Sequence, residues 1–184
     1  MRKYHAILNF SITVVLAILT WGCERDDICD SPSTTPRLYL AFYNIESPED
    51  LNPKNVTRFR VQGVGNDETL PELDGTSNKQ EILLPLKTTE GITEYKLHKN
   101  YSYSDSGTPD DPTDDVIGGN EDIVTIEYTT EEVYVSRACG FKTVFKNVRI
   151  TVADDGDRWI QNYLSVNDNQ IVENENAPHF ILFH

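Results

Sequence analysis

Apolar and polar side chains alternate with a period of two along most of the chain, a pattern typical of β-strands with one buried face. In residues 37–43, for example, Leu38, Leu40 and Phe42 share one face while Tyr39 lies on the other. The pattern predicts strands at residues 37–43, 56–64, 80–86, 93–99, 123–129, 132–138, 143–152 and 179–183.

Turn-forming segments rich in Gly, Asn and Asp separate these strands, as at residues 63–67 and 118–120. Strands with one polar face and no long helices between them predict antiparallel sheets that pack face to face. We therefore expect an all-β fold: a single antiparallel β-sandwich over residues 37–184, immunoglobulin-like, with about 7–8 strands.

Three segments depart from the alternation. Residues 47–50 offer a cap followed by proline, which predicts a short helical turn that ends before Pro53. Residues 157–164 fit either a short helix or a bent strand, and both remain open. Residues 102–120 are rich in Asp, Ser, Pro and Gly, which predicts a mobile acidic loop.

The first 22 residues have the organisation of a secretory signal peptide. Arg2 and Lys3 precede an apolar run over residues 6–20, which contains several polar residues. A transmembrane helix needs about 20 predominantly apolar residues, so a cleaved signal is favoured over a span. An uncleaved N-terminal anchor and ordinary secretion are the alternatives.

The end of this segment, Gly22-Cys23, resembles the lipobox of bacterial lipoproteins, in which the cysteine is acylated and becomes the mature N-terminus. Dual acylation holds a domain on a membrane without spanning it. The following residues 24–27 resemble the export signal of Bacteroidota lipoproteins, which predicts the outer membrane and its cell-surface face, with the periplasmic face as the alternative. Residues 23–36 would then form a lipidated tether.

Composition narrows the choice of partners. The 184 residues include 16 Lys+Arg and 30 Asp+Glu, a formal net charge of −14, and loss of Arg2 and Lys3 with the signal changes it to −16. Nucleic-acid binding needs clustered cations, so this class of partner is excluded. The same charge keeps the domain off an anionic lipid surface, so the acyl chains must provide the membrane attachment.

Three cysteines are an odd number for an exported protein. Acylation of Cys23 would leave Cys29 and Cys139, and an oxidising compartment favours a disulfide between them. Two buried thiols, or a metal pair that lacks its other ligands, are the alternatives.

Motifs for catalysis are lacking in the sequence, which has neither a Gly-x-Ser-x-Gly nor a His-Glu-x-x-His pattern. We expect structural roles for His98, His179 and His184, no catalytic residue, no cofactor and no metal, and hence a protein that is not an enzyme. The acidic clusters at residues 110–115 and 154–157 are better explained as solvated turns than as a weak calcium site.

Aromatic side chains are the other candidates for a binding role. Tyr101, Tyr103, Trp159 and Tyr163 flank predicted loops, and exposed aromatic faces at the edge of a sandwich bind carbohydrates or peptides. The alternative is that Trp159 and Tyr163 cover the core and the other two are edge residues.

Two motifs resemble a known family. Cys-Glu-Arg-Asp-Asp-Ile-Cys-Asp at residues 23–30 and Tyr-Val-Ser-Arg-Ala-Cys-Gly-Phe-Lys at residues 134–142 resemble a family of small Bacteroidota lipoproteins of uncharacterised function. The resemblance implies lipid attachment at Cys23, pairing of Cys29 with Cys139, and a β-rich domain. It implies no catalytic residue.

These observations lead to two functional expectations. The first is a non-enzymatic outer-membrane lipoprotein that acts as a binding or accessory module of an envelope or cell-surface complex. The second is a glycan-binding surface lipoprotein of a nutrient-uptake system. Under both expectations the protein would contact the membrane through its lipid anchor. Its other partner would be an envelope protein in the first case and a glycan in the second.

Overall fold

The computed structural model describes Cys29 and residues 35–184. The predicted signal peptide, Cys23 and most of the tether lie outside the described residues. In the described part, nine strands account for most of the regular structure, with two short 3₁₀ turns at Pro48–Asp50 and Pro112–Asp114. The strands are β1 (Leu38–Tyr43), β2 (Arg60–Gly63), β3 (Thr69–Asp74), β4 (Glu81–Leu84), β5 (Ile92–Ser104), β6 (Val116–Ser136), β7 (Gly140–Val152), β8 (Asn162–Ser165) and β9 (Phe180–Phe183).

The strands form two sheets. One has four strands in the order β4-β1-β9-β8, and the other has five in the order β3-β2-β5-β6-β7. Pairing is antiparallel throughout the registered pairs except between β1 and β9, which run parallel. The predicted all-β sandwich is confirmed, with nine strands instead of seven or eight.

Both sheets contribute to one hydrophobic core, and the period-two pattern explains which residues enter it. Leu38, Leu40 and Phe42 of β1 pack in the same cluster as Leu97 of β5 and Ile126 of β6, and all five are fully buried. Burial of each such side chain contributes about 1.5–3 kcal/mol. The face of β1 that the sequence marks as apolar is therefore the face that holds the sheets together.

Several elements differ from the predicted ones. The strands expected at residues 123–129 and 132–138 form one strand, β6, which makes a long hairpin with β7. The segment predicted as a loop over residues 102–120 is strand at both ends, because β5 continues through Ser104 and β6 begins at Val116. The connection between them is therefore residues 105–115.

A buried carboxylate fixes the chain between β7 and β8. Asp122 of β6 is 1 % exposed and accepts hydrogen bonds from the backbone amides of Trp159, at 3.3 Å, and Ile160, at 2.8 Å. Burial raises the pKa of Asp122, and the two amide donors partly offset this. These hydrogen bonds hold the residues before β8 in an irregular conformation with bends, which is not a helix.

The chain divides into two compact units. Of the described residues, the larger unit contains 35–133 and 142–184, and the smaller contains Cys29 with Tyr134–Phe141 at the end of the β6–β7 hairpin. In the smaller unit Cys29 and Cys139 are at disulfide distance, with their Cα atoms 5.1 Å apart. No helix in the described part of the chain is long and apolar enough to cross a membrane.

Candidate functional site

A cavity of about 240 Å³ lies on the outer face of the five-stranded sheet, across β2, β5 and β6. Because Val61 and Leu97 point into the core, their neighbours Arg60 and Lys96 point outward. We call this cavity the Arg60–His98 pocket. Its lining residues are Arg60, Gln62, Lys96, His98, Tyr101, Ile117 and Glu121.

A β-bulge brings Tyr101 into the pocket. The register of β5 against β6 shifts between Lys99 and Ser102, and Asn100 has a left-handed φ of 57°. Opposite the bulge, Gly119 has a φ of 106°, and a Cβ atom there would lie 2.5 Å from the Lys99 carbonyl oxygen. The inserted residue reverses the side-chain alternation, so Tyr101 shares the outer face with the preceding even-numbered residues.

Tyr101 packs against three neighbours. The Cζ atom of Arg60 lies 4.6 Å from the centre of the Tyr101 ring, and the His98 ring meets it edge to face with centroids 5.2 Å apart. The ring also fills the space beside Gly75, where a Cβ atom would lie 2.4 Å from Cδ1 of Tyr101. Tyr101 is therefore fixed in place by a cation–π contact, an aromatic contact and a glycine.

The polar groups of the pocket are only loosely paired. Glu121 lies 3.4 Å from Nζ of Lys96 and 3.6 Å from Nδ1 of His98, and a terminal guanidinium nitrogen of Arg60 is 3.4 Å from the Gln62 side-chain oxygen. Nε of Arg60 and Nε2 of His98 are buried and have no hydrogen-bond partner. A buried polar atom without a partner costs about 1–3 kcal/mol, so both atoms favour an additional partner.

His98 is 7 % exposed, and its environment sets its charge. Burial lowers the pKa of His98, and the positive charge of Arg60 acts in the same direction, while Glu121 and the Gly118 carbonyl oppose them. A neutral His98 leaves the pocket with two cations and one carboxylate, a net charge of +1 in a chain whose formal charge is −14. The arrangement thus suits a small anion with several oxygen atoms.

A larger cavity, of about 410 Å³, lies beside β3 and β4. Its principal charged groups are already paired: Arg37 donates two hydrogen bonds to Glu175, at 2.9 and 2.8 Å, and the Tyr39 hydroxyl donates to Glu81. Within residues 35–184, the buried side-chain atoms that lack a partner belong to Arg60 and His98 and not to the lining of this cavity, so the Arg60–His98 pocket is the better candidate.

The structure separates the four aromatic residues proposed as a ligand surface. Tyr101 lines the pocket, and Tyr103, 56 % exposed, follows it on β5. Tyr163 lies on β8 of the other sheet. Trp159 is buried in the core and its Nε1 donates to the Leu97 carbonyl at 2.9 Å, so it offers no exposed face to a ligand. Only Tyr101 and Tyr103 remain together.

His179 and the two acidic clusters, which were also considered in the sequence, form hydrogen bonds within the protein. His179 accepts a hydrogen bond at Nδ1 from the Tyr39 amide, at 2.9 Å. In the two acidic clusters, Asp111 accepts from the Thr113 amide and Asp155 from the Asp157 amide, as in ordinary turns. No group of three or more His, Cys, Asp or Glu residues within the described ranges could hold a metal ion.

Sequence reasoning missed most of the pocket. Arg60, Lys96 and Glu121 lie on three strands that are distant in sequence, and His98 was expected to have a structural role. The one available signal is the outward position of Arg60 and Gln62 opposite Val61. That signal marks a polar face but does not show which strands border it.

Comparison with known proteins identifies a family but no activity. A model of the family of unknown function DUF6452 matches residues 58–184. The chain belongs to this family. The matched range includes every pocket residue and Cys139, whereas Cys23 and Cys29 lie before it. Searches of curated proteins and of solved structures gave no match.

Proposed function

We propose that this DUF6452 protein is a non-enzymatic binding module that receives a small anionic ligand in the Arg60–His98 pocket. The observation that supports this most strongly is the pair of buried, unpartnered atoms, Nε of Arg60 and Nε2 of His98. A ligand that accepts a hydrogen bond from Nε of Arg60 and donates one to Nε2 of neutral His98, whose Nδ1 faces Glu121, removes a cost that the empty pocket retains. Rigid packing around Tyr101 keeps the donors in place and reduces the ordering cost of binding.

We further propose that the module is held on the outer membrane by acylation of Cys23, facing the cell surface, as an accessory part of an envelope complex. Support comes from the sequence: the lipobox-like Gly22-Cys23 and the charged residues 24–27. Intact-mass analysis of protein purified from its native cells tests the anchor, and protease treatment of whole cells tests the face. An unmodified Cys23 would contradict the anchor.

A glycan-binding role is the second candidate, and the composition of the pocket favours it. Its volume, about 240 Å³, is below the roughly 300–1,000 Å³ of pockets for drug-sized ligands, as expected for a single sugar unit. Gln62 and Glu121 provide acceptors for hydroxyl groups, while Arg60 and Lys96 match a carboxylate. The glycan ligand we propose is therefore an acidic sugar.

Isothermal titration with D-glucuronate and D-glucose tests the pocket, because the two sugars differ in one carboxylate. We expect D-glucuronate to bind at least tenfold more tightly than D-glucose, and Arg60→Gln to remove that difference. Arg149→Gln is the matched control, since Arg149 is an exposed arginine on β7 of the same sheet but outside the pocket. Equal affinity of wild type and Arg60→Gln for D-glucuronate would contradict the proposal.

A further inference from the structure

Two exposed aromatic side chains lie at the end of the β6–β7 hairpin. Tyr134 is 55 % exposed and Phe141 is 63 % exposed, and their rings meet edge to face with centroids 5.4 Å apart. We call Tyr134 and Phe141 the aromatic pair. Single exposed apolar residues are common on protein surfaces, so what distinguishes the aromatic pair is that two large rings contact each other on the segment that carries Cys139.

The disulfide links this hairpin end to the N-terminal tether. Cys139 lies two residues before Phe141, and the Cα atoms of Cys29 and Cys139 are 5.1 Å apart. Cys29 follows Cys23 by six residues, which span about 20 Å even when fully extended. Whatever holds Cys23 therefore lies within a short reach of the aromatic pair.

We propose that the aromatic pair inserts into the headgroup region of the bilayer in which the acyl chains of Cys23 are anchored. The inference rests on the proposed lipid anchor. Aromatic side chains favour the membrane–water interface, where the ring leaves water and a tyrosine hydroxyl stays hydrated. The short tether delivers the pair to that interface and so removes most of the entropic cost of finding it.

The charge of the chain indicates how this contact differs from an electrostatic one. Without its signal peptide the chain carries a formal charge of −16, which opposes approach to anionic lipid. Contact through the aromatic pair is apolar, and it should therefore persist on zwitterionic phosphatidylcholine and be insensitive to salt.

Quenching by brominated lipid tests the proposal on natively acylated protein. The Phe141→Trp variant is reconstituted in vesicles of phosphatidylcholine brominated near the headgroup end of the acyl chains, or in unbrominated vesicles. We expect at least twofold quenching at 50 mM and at 500 mM salt. In wild-type protein Trp159 is buried away from lipid, so its fluorescence should be quenched only slightly. The Tyr103→Trp variant, in which the replaced residue is 56 % exposed, is the control for an exposed aromatic elsewhere.

A second variant separates the contribution of the disulfide. Adding Cys139→Ser to Phe141→Trp releases the hairpin end from the tether, and we expect the quenching to fall by at least half. Acylated Phe141→Trp protein without quenching, or quenched no more than the Tyr103→Trp control, would overturn the membrane contact and leave the anchor intact. An unmodified Cys23 in the mass spectrum would overturn both.

Discussion

Acid should destabilise this protein through His184, which is buried against the core. The ring is 3 % exposed and lies edge to face with Trp159, with centroids 5.6 Å apart. Its Nδ1 is 3.1 Å from Nζ of Lys99, so the lysine donates to it and the ring is held in its neutral form. Burial, followed by the charge of Lys99, lowers the pKa of His184 from 6.5 to about 4.

The sign and size of the effect follow from this difference. In the unfolded chain the ring takes up a proton as the pH falls through about 6.5, whereas in the folded chain it resists protonation until about pH 4. Stability is therefore complete above pH 6.5 and is lost as the pH falls toward 4. The difference between the two pKa values of His184 corresponds to about 3 kcal/mol in the free energy of unfolding. Roughly 2.5 kcal/mol of this is lost by pH 4.5.

The His184→Gln variant isolates this contribution. Glutamine offers an acceptor to Lys99 but does not titrate, so the variant should be less stable than wild type at pH 7.5 and lose less stability on acidification. Urea unfolding at pH 7.5 and 4.5, followed by Trp159 fluorescence, gives the free energies. Asp122, whose pKa is raised by burial, changes stability in the opposite direction, but it is common to both proteins and cancels. An equal loss of stability in wild type and variant would refute the reasoning.

Three further changes test the fold. Gly119→Ala should cost about 2–3 kcal/mol in urea unfolding, because its φ of 106° and the nearby Lys99 carbonyl leave no space for a Cβ atom. Asp122→Ala should cost about 3 kcal/mol and broaden the thermal transition, because it leaves two buried amides unpaired. Reduction of the bond between Cys29 and Cys139, which are separated by 110 residues, should lower the free energy of unfolding by up to about 4.7 kcal/mol, whereas two unlinked thiols would give no change on reduction.

The strands of the sandwich could be predicted from the sequence where apolar and polar residues alternate regularly. The prediction failed where the backbone is irregular. The spacing of Leu38, Leu40 and Phe42 identifies β1 and its buried face. β3 contains Pro71 and a residue, Glu72, with a φ of 63°, so it carries no regular alternation to detect. The parallel pairing of β1 with β9 joins strands about 140 residues apart and has no local signal.

The residues of the candidate site could be predicted from the sequence only in part. Arg60 was recognisable as an outward-facing residue, but the bulge at Asn100 decides that Tyr101 joins it, and simple alternation would place Tyr101 on the core face. For Trp159 the sequence allowed either an exposed ligand face or a residue that covers the core, and its contacts with Leu97 and Asp122 make it part of the core. Such cross-strand relations become visible only once the register is known.

We propose above all that the ligand partners both buried atoms: Nε of Arg60 donates to its carboxylate, and Nε2 of neutral His98, whose Nδ1 faces Glu121, accepts from one of its hydroxyl groups. ¹⁵N NMR of the arginine Nε–H and histidine ring signals during addition of D-glucuronate tests it most directly. We predict that the Arg60 Nε–H signal moves downfield and the His98 ring signals shift at the same ligand concentration, while Arg149 stays unchanged. Unperturbed Arg60 and His98 signals at saturating D-glucuronate would contradict the claim.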